Sequence, residues 1–276
     1  MRRGARPLAV LACATLLAVQ GCQETVAPVK DQPSASPSPT EDVALPDAPT
    51  VLLQVPEDGD EIEQVGTAEV DVNHESVNGG ELAVVPGWED EPALDFPEFT
   101  TAKRYPQAVV LVDNIHEDDQ LSPGTRSFSW GADFLLDERT TGGADDGDNL
   151  VQRGLASQPV YFKVEVDNRH AACTVGGTKG TVYARNYLDL VPGRWYRVLC
   201  TREGDSVSAV VTEISSSGGG RPTVTTRVGN IGDVTFKEST IPFVVGGKVG
   251  SDHRLVEDSE VFNGLVMNPL FDIADD

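Results

Sequence analysis

The chain has 276 residues, with 44 Asp and Glu against 21 Lys and Arg, for a formal charge of −23. Nucleic-acid binding rests on basic patches, so this balance argues against a nucleic-acid partner. No Gly-rich phosphate loop, heptad repeat or internal repeat is present.

The first element is a leader. Arg2, Arg3 and Arg6 precede a largely apolar run from Pro7 to Val19. A basic start, a short apolar centre and a small residue at the cut make up a secretory signal. The run is shorter than the ~20 apolar residues that a membrane span needs, and acidic, proline-rich sequence follows it. Leu16-Leu-Ala-Val-Gln-Gly-Cys22 looks like a bacterial lipobox, in which the cysteine after the small residue is lipidated. The expectation is a signal peptide over residues 1–21 and an extracytoplasmic protein held to the membrane through lipid on Cys22.

The four cysteines then sort themselves. Cys13 leaves with the signal, Cys22 carries lipid, and Cys173 and Cys200 remain in an oxidising compartment. An even remainder in such a compartment pairs. Closing that loop stabilises the fold by roughly 3.5 kcal/mol in the chain-entropy model.

Residues 22–90 are expected to be a disordered acidic linker. Nineteen acids lie between residues 23 and 100 against one base, Lys30. Ser34-Ala-Ser-Pro-Ser-Pro-Thr40 is of low complexity, and Val51-Leu-Leu53 is the only apolar cluster between Gln23 and about Thr67. Such a composition buries too little surface to offset chain entropy, and self-repulsion with proline extends it. The functional reading is a spacer that holds a domain off the membrane.

Residues 91–276 read differently. Alternation replaces helical periodicity. Phe128, Trp130, Ala132, Phe134 and Leu136 share one face; Phe162, Val164 and Val166 share another, with Lys163 and Glu165 opposite. Tyr196, Val198 and Cys200 alternate likewise, and after the Glu203-Gly-Asp205 turn so do Val207, Ala209 and Val211. Many short strands with Gly and Pro turns predict an all-β, two-sheet antiparallel sandwich.

Four segments in order carry a resemblance: Arg126–Glu138; Asn149–Gly154 with Tyr161–Asp167; Pro192-Gly-Arg-Trp-Tyr-Arg-Val-Leu-Cys-Thr-Arg202 with its hairpin; and Pro242–Lys248 leading to Phe262-Asn-Gly-Leu-Val266 and Ile273. Together they resemble the laminin-G-like, concanavalin A-like jelly-roll family, as found in secreted actinobacterial proteins. The resemblance implies a jelly-roll β-sandwich that binds rather than catalyses, with glycan or protein ligands and, in some members, calcium at the rim. One phrase departs from the family. An Asp is common shortly after Phe-x-Gly, where this chain has Val266-Met267-Asn268.

Candidate sites follow. Asp145, Asp146 and Asp148 lie in a glycine-rich acidic loop whose oxygens suit calcium, though the spacing is not that of an EF-hand. Tyr161 and Trp195 fall opposite the assigned core positions and are the candidate sugar-stacking rings. No Glu-x-Asp-x-x-Glu is found; Glu165-Val-Asp167 continues to His170 instead. Neither a Gly-x-Ser-x-Gly elbow nor a metal-spaced His set exists, so no catalytic residue is assigned. The expected function is a non-catalytic module for cell-wall or environmental glycan. The alternatives are a scaffold that docks on an envelope protein and a diverged glycosidase.

Overall fold

The computed structural model describes residues 46–275, apart from 57–60, 103, 139–147, 217–218, 238–239, 251 and 256–259. Sixteen strands are described: β1 Val51–Gln54, β2 Glu63–Gln64, β3 Val70–Val77, β4 Ala83–Pro86, β5 Pro92–Asp95, β6 Gln107–Asn114, β7 Phe128–Leu136, β8 Asp148–Arg153, β9 Tyr161–Asp167, β10 His170–Gly177, β11 Gly180–Arg185, β12 Trp195–Glu203, β13 Ser206–Glu213, β14 Thr223–Val228, β15 Phe243–Val245 and β16 Gly264–Ile273. They form two antiparallel sheets. One has nine strands, ordered β14-β13-β12-β7-β16-β1-β2, with the β4–β5 hairpin joined to β16. The other has seven, ordered β11-β10-β9-β8-β15-β6-β3.

The predicted sandwich is therefore present, and the alternation of the sequence builds it. Phe128, Trp130, Ala132, Phe134 and Leu136 are all buried, as are Phe162, Val164 and Val166 from the facing sheet. Rings from the two sheets meet in the middle. Phe162 stacks on Phe271 at 5.1 Å, and its ring lies 5.2 Å from that of Phe128. Pairs of this kind add about 0.5–1.5 kcal/mol each beyond the area they bury.

Cys173 on β10 and Cys200 on β12 are joined, with Cα atoms 5.7 Å apart. Because β10 and β12 belong to different sheets, the disulfide ties the two layers through the core. Arg153 on β8 holds neighbouring loops to its own sheet instead. It is buried, pairs with Asp119 at 2.9 Å, donates from Nε to the Ile241 carbonyl and lies over the Phe236 ring. A buried guanidinium needs all of this company to offset its lost hydration.

The expected boundary at residue 91 is corrected. Four strands precede it. Val51 and Leu53 on β1 are fully buried against β16, and β3 pairs with β6 along all eight of its residues. The acidic residues that suggested a linker, such as Asp71 and Glu75, occupy exposed positions. A strand added to an existing sheet needs only a few buried side chains of its own, so average composition understates its order. Residues 1–45, which include the leader, Cys13 and Cys22, lie outside the described residues.

Candidate functional site

Cross-strand register decides which side chains meet on the outward face of the nine-stranded sheet. One row runs Leu265, Leu135, Trp195; the next runs Met267, Asp133, Arg197, Thr212. The first row is apolar, and the second places opposite charges directly across β7 and β12. Arg197 donates from Nε to Asp133 Oδ1 at 2.7 Å and from Nη2 to Oδ2 at 2.8 Å. This planar bidentate pair is the strongest common form of charge-assisted hydrogen bond.

A third group joins it through a bulge. The register of β16 against β7 slips between Met267 and Leu270, and Asn268 sits at φ +50°. Bulges re-aim side chains at functional sites, and a non-glycine residue in the left-handed region is a strained position. Here the bulge turns Asn268 so that its Nδ2 donates to Asp133 Oδ2 at 3.2 Å.

The β4–β5 hairpin supplies the aromatic part. Its turn, Trp88–Asp90, has positive φ at both Glu89 and Asp90. Gly87 allows a close approach. A Cβ there would stand 2.6 Å from Met267 Sδ and 2.7 Å from Ala93 Cβ. Trp88 donates its backbone N–H to Met267 Sδ at 3.3 Å and packs against the Ala93, Trp195 and Met267 cluster while staying partly exposed.

Among the described residues, two grooves meet at the bulge. The larger, about 370 Å³, is lined by Trp88, Asp133, Arg197, Thr212, Met267 and Asn268 among others. The second, about 290 Å³, runs between β1, β5 and the bulge. Glu91, Met267 and Asn268 line both. The arrangement offers a ring face, a guanidinium, a carboxamide and a hydroxyl within one cleft.

The sequence-predicted residues are distributed differently. Trp195 lies beneath this groove but is only 8% exposed, covered by the hairpin cluster. Tyr161 lies on the outward face of the other sheet, also 8% exposed, with its ring against Gly176. Neither presents a free face for stacking, which corrects both assignments. Asp145 and Asp146 lie outside the described residues. Asp148 begins β8 and is 3% exposed. Among the described residues no group of three or more His, Cys, Asp and Glu could hold a metal ion.

Lys163 and Glu165 face outward from the seven-stranded sheet, as alternation predicts, and form an ion pair. Burial pushes the Glu165 carboxyl above its ordinary 4.5, against the pull of Lys163.

Sequence reasoning missed Trp88, which lay inside the expected linker. It also missed Asp133 and Arg197, whose strands were recognised but whose mutual register was not. Asn268 had been noticed, as a departure from the family phrase.

No protein-family model matches the chain, and no curated protein does. Solved structures do resemble it. The binding domain of Paraclostridial Mosquitocidal Protein 1 matches with a TM-score of 0.52 and 10% identity, over 83% of this chain and 50% of that one. The LG1–3 region of the laminin α2 chain matches with a TM-score of 0.40 and 12% identity, over 51% of this chain and 26% of that one. The enzymatically active domain of bacteriophage CBA120 tailspike protein 2 matches with a TM-score of 0.49 and 10% identity, over 76% and 30%. The chain thus spans half or less of each solved chain, and likeness at these identities is one of fold alone.

Proposed function

We propose that this chain is a non-catalytic glycan-binding module, displayed outside the membrane on a lipid carried by Cys22. The observation that carries the reading is the groove in which partly exposed Trp88 stands beside the Asp133–Arg197–Asn268 network. Ligand sites combine apolar walls with a few fixed polar groups. A sugar ring offers an apolar C–H face for an indole and hydroxyls for paired donors and acceptors. Asp133 supports this by holding the guanidinium plane and the Asn268 amide in fixed orientations, so little ordering remains to oppose binding. The likeness to a toxin's binding domain fits a module of this class.

A glycan array probed with the full chain tests the reading, with Trp88→Ala and Arg197→Lys variants alongside. Selective binding is expected, weakened roughly tenfold or more by each variant, since loss of an aromatic anchor or of a bidentate fork costs about 1–3 kcal/mol. Parallel runs with calcium and with chelator separate the groove from the acidic segment Asp145–Asp148. Binding lost to chelator but untouched by the variants would place recognition at that segment. No glycan retained in any condition would overturn the reading and leave an envelope protein as the ligand.

A further inference from the structure

We infer that the free edge of β14 pairs with the same edge of a second copy of this chain, joining two nine-stranded sheets into one. Among the described residues β14 ends its sheet, and it reads Thr223-Val-Thr-Thr-Arg-Val228, with no carboxylate in a chain of charge −23. Val224 is 44% exposed and Val228 78% exposed. Tyr183 and Tyr187 add two further exposed rings at this end of the sandwich, where β11 runs beside β14 and Arg227 donates to the Tyr187 hydroxyl. An unprotected edge of this kind is a template for strand addition.

Hydrogen-bond parity shows which main-chain groups are available. The Gly229 N–H donates to the Asp205 carbonyl, one step beyond the Ser206–Val228 pair. Antiparallel ladders alternate bonded and non-bonded pairs, so Thr223, Thr225 and Arg227 direct their main-chain groups to β13. The other edge of β13 agrees. The Ile214 N–H donates to the Trp195 carbonyl, which turns Val207, Ala209 and Val211 toward β14. Val224, Thr226 and Val228 therefore direct N–H and C=O outward from the edge.

Those three residues form a self-complementary register. In a two-fold antiparallel pair centred on Thr226, Thr226 meets Thr226, Val224 meets Val228, and Arg227 meets Thr225. Every outward N–H and C=O of the three finds a partner. Valine–valine and threonine–threonine contacts are favourable cross-strand pairs, and no like charges stand opposite each other. Val224, Thr226 and Val228 also share the outward face, because their β13 partners Val210, Ser208 and Ser206 lie opposite the core row Val207, Ala209, Val211. The edge at the far side of the other sheet contrasts with this. β3 carries exposed Asp71, His74 and Glu75, charges that discourage pairing. One contact must give way: Arg227 Nη1 donates to the Thr226 carbonyl at 3.1 Å in the single chain, and this exposed side chain can swing aside.

Sedimentation velocity of the full chain over a wide concentration range tests the proposal. The expected result is a dimer that grows with concentration. Val224→Lys/Val228→Lys sets lysines opposite one another and weakens association by roughly tenfold or more. Both positions are exposed, so at concentrations where the wild type is monomeric the thermal melts should match. Thr226→Cys should give a disulfide-linked dimer under mild oxidation beyond the wild-type background, while Val224→Cys, which meets Val228, should not. A wild-type chain that stays monomeric, or a double-lysine variant that dimerises as wild type does, overturns the proposal.

Discussion

Asp133 accepts three hydrogen bonds, two from Arg197 and one from Asn268, and so fixes two groove-lining groups at once. Glu165 shows a different use of charge. Its carboxyl is held above the ordinary 4.5 by burial, so the folded state binds its proton more tightly than the unfolded state does. The stability linked to that proton is present below about pH 4.5 and is lost as pH rises through the raised value. Glu165→Gln removes this dependence. Denaturant titrations between about pH 4 and 7 should show wild-type stability falling relative to the variant as pH increases. A constant difference between the two would rule this out. At this scale the sequence was legible in faces but not in exposure. Alternation correctly set Trp195 and Tyr161 opposite the core positions. It could not show that a hairpin covers Trp195, or that the Tyr161 ring lies against Gly176 on the neighbouring strand.

Elements that looked weak in isolation are structural once paired. β1 has only four residues, yet its Leu53 is buried in the main core. Leu53→Ala should destabilise the fold by about 2–5 kcal/mol in denaturant melts. A cost near zero would return this segment to the linker that its composition suggested. The strands between Phe128 and Val211 were readable because each carries its own alternation and turn residues. β1 and β3 were not, because their order comes from β16 and β6, far away in the chain. The disulfide was legible for a chemical reason: two cysteines remained after the leader was accounted for. That these two cysteines join different sheets needed the topology. The bulge at Asn268 was visible only as a departure from an expected phrase, and its effect on Asp133 depends on register.

For the whole molecule, fold class was legible and the site was not, and the difference is physical. A sandwich is specified by periodicity repeated along the chain. The groove is assembled from Trp88, Asp133, Arg197 and Asn268, which no local pattern connects. Net charge speaks to partners and solubility rather than to fold, and 19 of the acids lie before residue 101. The groove can be observed directly through its own chromophore. Of the three tryptophans, Trp130 is fully buried and Trp195 is 8% exposed, which leaves Trp88 as the one open to solvent. Acrylamide quenching of tryptophan fluorescence, with and without a glycan retained on the array, therefore reports on the groove. Glycan in the groove should abolish the quenchable fraction, and Trp88→Phe should lack that fraction from the outset. Glycan binding at saturation with Trp88 still fully quenchable would contradict the groove as the binding site.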